Sequence, residues 1–583
     1  MVTMIEPVIP RFSNEDLAQI FKTIADMLEI KGEIIFKVLA YRKATDTLNN
    51  LGGDIYQYWR QGTLTDIPGI GKAIAEKINE LLSTGRLEFF ERLQTEVPIS
   101  LVTLLEVPDV GPKKVALFRK SLGVTNLAEL ESAAKEGRLR ILPGMGEKSE
   151  AKVMAGIEAL KRRSGRVALG KAWPYAQQLL VFLRSLPGVS AAEPAGSLRR
   201  MLPTVGDLDL VVAAADSGIV MDAFTQHPDI LAVLARGETK ASVEFRNTLR
   251  SQLWVYPPER FGTGWLYATG SKDHNVRLRE LAQKMGLSLS DASFLREGRS
   301  ELLCASEEEV YAALDLSWVP PELREDRGEV QAALENRLPN LVQVKDIRAE
   351  LHAHTRWTDG TLSVLELAEA ARARGLDILA ITDHTASLGV TGGLSMDALR
   401  RQREEIANAQ QILGDSIRLL WGAEVEIKAD GALDYEDDFL AEMDIVIASL
   451  HTSLRQPRDV VTERLLKAIR NPHVDVIGHP TGRMLPNREG ADLDMEAVLN
   501  AAFETQTALE VNAHPSRLDL DAAYIRRAVE SGIPLCINTD AHAASDLDLL
   551  HFGVATARRG WATPNNIINT WETDRLLNWL QRA

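Results

Sequence analysis

From about residue 346 to the end of the chain, short apolar runs alternate with helical segments, and metal-ligand side chains stand just beyond the runs. The runs are DILAITDH (377–384), RLLWGAEVEI (418–427), DIVIASLH (444–451), VDVIGHP (474–480), ALEVNAHP (508–515) and PLCINTDAH (534–542). Strand–helix alternation of this kind predicts a parallel barrel or a doubly wound sheet. In a barrel, catalytic groups collect where the carboxyl ends of the strands converge on one mouth. Nine of the 11 histidines lie between His352 and His551. The ordered candidate set is His352-x-His354 with Asp359, Asp383-His384, Glu424, His451, His479 and Asp540-x-His542. Alternate residues of an extended segment point to one side, so His352 and His354 can reach one site together. Imidazole and carboxylate without thiolate suit Mn2+ or Zn2+ (or Fe2+) better than Mg2+ alone. A set this large implies two or three ions, an arrangement that clamps both oxygens in phosphate ester hydrolysis. His473 and His551 fall outside the pattern.

At 583 residues the chain exceeds one hydrophobic core, and roughly three to five domains are expected. Apolar content of 45% with 25% charged residues excludes a disordered chain. Cys304 and Cys536 are the only cysteines, which excludes a disulfide framework and a Cys-based zinc finger. The N-terminus lacks the basic start and apolar run of a signal peptide. No stretch approaches the roughly 18 apolar residues of a membrane span. These features predict a cytoplasmic protein without membrane contact. A net charge of −16 is unusual for a nucleic-acid binder. The excess acid lies downstream of residue 165, however, and local field governs DNA binding more than total charge.

The first segment reads helical, with Ser13 as its cap and Leu17, Ile20, Phe21, Ile24 and Leu28 at helical spacing. Three short elements then repeat: IPGIGKAIAEKI (67–78), VPDVGPKKVALF (107–118) and LPGMGEKSEAKVMAGI (142–157). Each is a glycine turn opening an amphipathic helix. Such turns present backbone N–H groups to phosphates without sequence readout. The candidate DNA contacts are Gly69, Gly71, Lys72, Gly111, Lys113, Gly144, Gly146 and Lys148, with Lys114 beside them.

After Arg166 the texture becomes α/β, with strand-like LDLVVAAA (208–215) and LWVY (253–256). The segment AGSLRRMLPTVGDLDLVV (195–212) carries chemistry. A Gly-Ser turn opening toward a helix offers N–H groups and a hydroxyl to a phosphate. Arg199 and Arg200 add charge-assisted donors. Asp207-x-Asp209 places two carboxylates on one face of a strand, as needed to hold Mg2+ or Mn2+ against a triphosphate. Pro-Pro, a charged helix (Glu322–Arg337) and LPNLVQV read as a linker over 321–345.

The segments ELHAHTRWTDG, ITDH, GAEVEI, SLH, GHPTGR, LEVNAHPSRLDL and NTDAH resemble the PHP (polymerase and histidinol phosphatase) superfamily over about 346–583. The resemblance implies a distorted (β/α)7 barrel with a trinuclear site held by His352, His354, Asp359, His384, Glu424, His451, His479, Asp540 and His542. His514 stands where relatives usually carry Asn. Residues 10–300 resemble the X-family DNA polymerases. This implies an all-α helix-hairpin-helix region, made of a lyase-like domain (1–95) and a fingers-like domain (96–165). An α/β nucleotidyltransferase palm (166–256) and a thumb (257–320) would follow. Asp207 and Asp209 are then catalytic, and Gly196, Ser197 and Arg200 take the triphosphate. Tyr267, Thr269 and Gly270 lie beside the sugar, with Asn275 and Arg279 facing minor groove and template. Ala268 replaces a bulkier aromatic seen in some relatives. Lys77 holds the Schiff-base position of the lyase found in some members, while Phe89 replaces a basic residue of that pocket.

The X-family resemblance also implies a third catalytic carboxylate on the strand before Tyr267. Aligned on Pro257, that position is Gln252, and Trp254 stands at an Arg position. The leading expectation is a monomeric repair enzyme acting on gapped, nicked or 3′-ended DNA with deoxynucleoside triphosphates. It would combine nucleotidyl transfer, impaired by Gln252, with a 3′→5′ exonuclease, and abasic-site cleavage by the barrel stays open. The rival is a DNA-end-binding nuclease with a decayed polymerase centre. A small-molecule phosphatase fused to a DNA-targeting module is disfavoured by the glycine-turn repeats.

Overall fold

The computed structural model describes residues 12, 14–49, 51, 55–107, 110–163, 166–296, 301–388, 391–486 and 488–581. Ser13, Pro108 and Asp109 lie outside them. The chain divides into two compact units, 1–165 and 166–583.

The first unit is all-helical. Its opening helix, Asn14–Lys31, buries Leu17, Phe21, Ile24 and Leu28, the residues whose spacing predicts one apolar stripe; Ile20 is partly buried at its edge. Each glycine-turn repeat ends in a helix: Lys72–Thr84, Pro112–Leu122 and Glu147–Arg163. Gly71 and Gly111 are the residues before the first two, and Gly146 accepts the first helical bond of the third, from Glu150 N–H at 2.9 Å. Gly69 (φ +99°) and Gly144 (φ +75°) occupy the left-handed region that glycine tolerates. The helices stay docked through buried Ile67, Ile70, Ile74 and Ile78 in the first repeat and Val107, Val110, Val115 and Phe118 in the second.

The second unit begins with a five-stranded mixed sheet in the order Val189–Pro194, Leu208–Ala214, Arg250–Tyr256, Lys240–Phe245, Ile230–Arg236. Leu208–Ala214 and Arg250–Tyr256 run parallel; the other pairs are antiparallel. Helices Phe261–Thr269 and Lys272–Lys284 follow. The stretch 321–345 is packed rather than extended. Its Leu323, Ala333 and Leu341 join Leu266, Leu278 and Tyr311 in one buried cluster. The expected helix Glu322–Arg337 is broken into Pro321–Leu323 and Glu329–Leu334. Gly328 (φ +96°) and Asp326 (φ +52°) turn the backbone between them. The buried Arg324 guanidinium there donates two 2.7 Å bonds to Glu307.

Residues 349–538 supply seven parallel strands, each paired with the next in chain order: Ala349–Glu350, Ile378–Ile381, Arg418–Glu426, Ile445–Ser449, Val476–Gly478, Ala508–Asn512 and Leu535–Asn538. The ring closes where Ala353 pairs with Ala541, with His354 N–H donating to the Ala541 carbonyl at 2.8 Å. Leu379, Ile381, Ala423 and Val425 face the helices, whereas Ile378, Ala380, Leu420, Ile447 and Cys536 fill the interior. Leu576 and Leu580 of the last helix, Thr573–Leu580, cover the interior cluster. No helix among the described residues is long and apolar enough to cross a membrane.

Candidate active sites

The barrel closure sets the first site. Pairing Ala353 with Ala541 brings His352 and His354 beside Asp540 and His542 from the other end of the domain. Glu424 lies at the centre. On its strand the interior face is that of Leu420, so Glu424 and Glu426 both point inward. Glu424 carboxylate oxygens lie 3.5 Å from His352 Nε2, 3.6 Å from His354 Nε2, 2.8 Å from His384 Nδ1, 3.2 Å from His451 Nε2 and 3.0 Å from His479 Nε2. Asp359 sits 3.4 Å from both His384 Nε2 and His542 Nε2, and Asp540 lies 3.1 Å from His354 Nε2. Three overlapping groups have ligand spacing: His354, Asp359, His384 and His542; His352, His354 and Glu424; His384, Glu424 and His451. Asp540 and His479 border them. All nine predicted ligands therefore converge on one site.

The donor set fits divalent ions. His352 Nε2, both ring nitrogens of His354 and His479, and both Glu424 oxygens are buried without a hydrogen-bond partner among the described residues. An unmet buried polar atom costs about 1–3 kcal/mol, and cations between these lone pairs would remove that cost. The electrostatics agree. Burial pushes imidazoles down, yet Glu424 and then Asp359 lift His384 to about 10, and Asp359 lifts His542 to about 9. Burial, joined by repulsion from His384 and His542, takes His354 down to about 4. Glu424 would be raised by burial, but His451, His352 and His384 hold it well below the carboxylate range.

A layer of residues behind the ligands escaped the sequence reading. Glu510 accepts from His352 Nδ1–H at 2.8 Å, and Glu426 from His451 Nδ1–H at 2.7 Å, which turns each Nε2 lone pair toward the site. Asn512 donates to Asp540 at 3.1 Å. Asp383, beside His384, is not a ligand: it accepts from the Thr355 N–H at 2.9 Å and hydroxyl at 2.6 Å. The available signal was an acid inside an apolar strand, Glu426 in GAEVEI and Glu510 in ALEVN. His514 joins no ligand group and bonds Ser516 Oγ at 2.6 Å. His473 lines a cavity with Asp444 and Asp475, and His551 packs on Trp173 and Phe552.

The second site lies on the five-stranded sheet. Gly196 (φ +56°) lies so close to Asp209 that any side chain there would strike its carboxylate. In register, Asp209 is paired with Gln252, and Gln252 with Ser242. Gln252 Nε2 donates to Asp207 Oδ2 at 2.9 Å. Burial, then the charge of Asp207, raises Asp209 to about 7, against the pull of Arg200 and Lys240. Glu244 is on the adjacent strand, opposite Arg250. Arg200 donates to Glu325 at 3.1 Å and to the Thr269 carbonyl. The Glu325 carboxylate also takes Arg559, at 3.1 Å. Arg199 is structural: it is buried, lies 3.4 Å over Trp265 and binds Glu307 at 2.6 and 2.9 Å. Asn275 donates to the Tyr267 carbonyl at 2.9 Å, and Arg279 lies 5.5 Å over the Tyr267 ring. Gly196 thus adjoins Asp209, with Ser197 on the same turn, and Arg200 reaches across to Thr269 and Gly270.

In the helical unit, the space around Gly71, Gly111, Gly144 and Gly146 is open, and Lys72, Lys113 and Lys148 are exposed. Lys77 Nζ donates to the Ala73 carbonyl at 3.1 Å and lies 5.3 Å over the Phe89 ring, which also stacks on Tyr41.

Four family models match the chain: a helix-hairpin-helix domain (12–87), a SAM-like helix-hairpin-helix tandem (101–159), a DNA polymerase beta thumb (264–325) and a PHP domain (350–514). A DNA polymerase/3′-5′ exonuclease PolX of Bacillus subtilis (strain 168) is 38% identical over 559 residues, covering 95% of this chain and 97% of its own. A probable phosphatase of Thermoanaerobacter sp. (strain X514) is 29% identical over 233 residues, 38% of this chain and 89% of that one. A probable phosphatase of Shewanella oneidensis is 31% identical over 208 residues, 34% and 77% of the two chains. These shorter relatives share only part of the chain, whereas the Bacillus protein is matched almost from end to end. The chain belongs to the bacterial X-family DNA polymerases that carry a C-terminal PHP domain.

Proposed function

We propose that this protein is a DNA repair enzyme whose barrel removes nucleotides from DNA 3′ ends and whose palm extends primers slowly, with a preference for Mn2+. The observation that carries the nuclease reading is the convergence of nine ligand-type groups, six of them buried, around the orphaned lone pairs of His352, His354, His479 and Glu424. Two or three Mn2+ or Zn2+ ions held there would supply an activated water and charge stabilisation at the phosphate. The chain's own residues do the rest. Glu510 and Glu426 fix the tautomers of His352 and His451. Asn512 orients Asp540. The glycine turns of the helical unit hold duplex phosphates without reading bases.

In the palm, Asp207 and Asp209 would hold Mg2+ or Mn2+, and the Gly196–Ser197 turn with Arg200 would receive the triphosphate. Arg200 must exchange Glu325 for the nucleotide, and the Glu325–Arg559 pair keeps that carboxylate partnered when it does. The place of a third carboxylate is taken by Gln252, a neutral amide that neither accepts a proton from a primer hydroxyl nor balances ion charge. A second reading, an end-binding nuclease with a decayed polymerase centre, is favoured by the same residue. The Lys77 lyase and abasic-site cleavage are further activities of this reading. The deciding experiment is a gapped duplex with a labelled primer in Mg2+ or Mn2+, with and without nucleotides. Shortening without nucleotides and only slow extension with them support the proposal; no shortening with either ion refutes the nuclease reading.

A further inference from the structure

Beside the metal cluster, two loops carry a concentration of arginines that the ligand set does not use. One loop follows His479, and the other follows the strand Ala508–Asn512. Arg483 staples them, its Nε donating to the Arg517 carbonyl at 2.9 Å and its Nη2 to the Leu518 carbonyl. Its own charge is met by Asp521 at 3.6 Å. The staple brings two further arginines to this edge of the site. Arg517 Nε lies 3.5 Å from Asp540 Oδ2, so its guanidinium stands at the edge of the ligand group, with 19% of the side chain exposed. Arg488 spends Nε and Nη2 on one neutral acceptor, the Gly482 carbonyl, at 3.1 and 2.8 Å, and has no ion pair among the described residues. Burial, then repulsion from Arg517 and Arg455, lowers its pKa. Arg455, exposed on the loop after His451, has no hydrogen bond or ion pair among the described residues. The nearby Asp519 is already occupied by the Thr481 N–H and hydroxyl, at 3.0 and 2.9 Å.

Arg517 borders the phosphoesterase centre, the staple and the Gly482 turn hold its loop beside that of Arg488, and both neighbouring guanidiniums repel Arg488. Guanidinium forks also match phosphate oxygens in geometry. Simple hydrolysis of a lone phosphate needs a single such group next to the ions. Exposure rises from Arg517, at Asp540, to Arg488 and Arg455 on the surface, which suits a polyanion entering from solvent. We propose that these residues form a two-phosphate track: Arg517 takes the phosphate being cut, and Arg488 with Arg455 takes the next phosphate of the same strand on its 5′ side. The inference rests on the nuclease reading of the barrel and adds its substrate class, a strand of at least two phosphodiesters.

The test uses the full chain, Mn2+, and two probes: a dinucleoside monophosphate, which has only the scissile phosphate, and a trinucleotide, which has one more. Unmodified protein should cut the trinucleotide with a kcat/KM at least about tenfold higher, mostly through KM, as one charge-assisted contact allows. Arg488→Ala should bring the ratio near one while leaving dinucleotide cutting within about twofold, and Arg488→Lys should restore part of the ratio. An equal rate on both probes in the unmodified protein overturns the track. So does an Arg488→Ala variant that keeps the ratio or loses both activities together while Arg488→Lys recovers neither. If neither probe nor longer DNA is cut, the nuclease reading itself has failed, and the track with it.

Discussion

Gln252 donates its side-chain amide to Asp207 at 2.9 Å, while pairing in register with Asp209 on the parallel strand. The position therefore touches one palm carboxylate and sits opposite the residue that carries the other. A carboxylate there would add charge to an ion site; the amide instead uses one of its donors on an existing ligand. Replacing it by Gln252→Asp should raise primer extension in Mg2+ at least about tenfold, a cautious fraction of the roughly hundredfold or more that a positioned base supplies. Gln252→Ala should give no such gain. Equal extension by the Asp and Ala variants, measured on a gapped duplex, would show that the third carboxylate comes from elsewhere, with Glu244 the first candidate.

Asp209 titrates near 7 because burial and the neighbouring Asp207 both favour its protonated form. Ions bind the carboxylate anion, so protons compete below that pH. Palm affinity for Mn2+–nucleotide should be full above about pH 8 and fall by about tenfold per pH unit below 6, measured by calorimetry in a His352→Ala background. A flat profile between pH 5.5 and 8 would contradict the assignment.

At the barrel, His352→Ala removes a ligand and should lower 3′-end hydrolysis at least about a hundredfold. Glu510→Gln removes only the group that orients His352 and should cost about 10–100-fold, with weaker metal retention. DNA affinity should be unchanged in both. If Glu510→Gln keeps full metal content and rate, the orienting role of that bond is wrong.

The barrel was legible from sequence because its candidate ligands sit at strand ends, where each run of apolar residues stops at a histidine or an acid. The layer behind it was hidden because Glu426 and Glu510 lie inside strands, and only the inward alternation with Leu420 and Ala508 tells that they point at the site. The two strands Ile230–Arg236 and Lys240–Phe245 carried no turn signal strong enough to separate them from loop. The 321–345 stretch misled because its Pro-Pro and charges resemble a linker, while buried Leu323, Ala333 and Leu341, with Arg324, bind it to the cluster of Leu266 and Tyr311. Arg199 and Arg200 are chemically alike and only the family resemblance singled out Arg200; the tertiary partners Glu307 and Trp265 make Arg199 a core brace.

The helical unit should bind DNA without the rest of the chain, since residues 1–165 form a compact unit with their own core. Affinity should fall with salt, with a slope equivalent to only a few released counterions, and vary little with base sequence. Gly71→Asp, which places a negative side chain in the open space at that turn, should weaken it severalfold. A fragment with no affinity at low salt would remove the role assigned to the glycine turns.

The most direct measurement follows a 5′-labelled primer in a gapped duplex with the unmodified protein, His352→Ala and Asp207→Ala side by side. In Mn2+ without nucleotides, the primer should shorten with the unmodified protein and with Asp207→Ala, and stay intact with His352→Ala. With nucleotides and Mg2+, the unmodified protein should extend it only slowly. Shortening that persists in His352→Ala, or brisk Mg2+ extension that Asp207→Ala abolishes, would contradict the account.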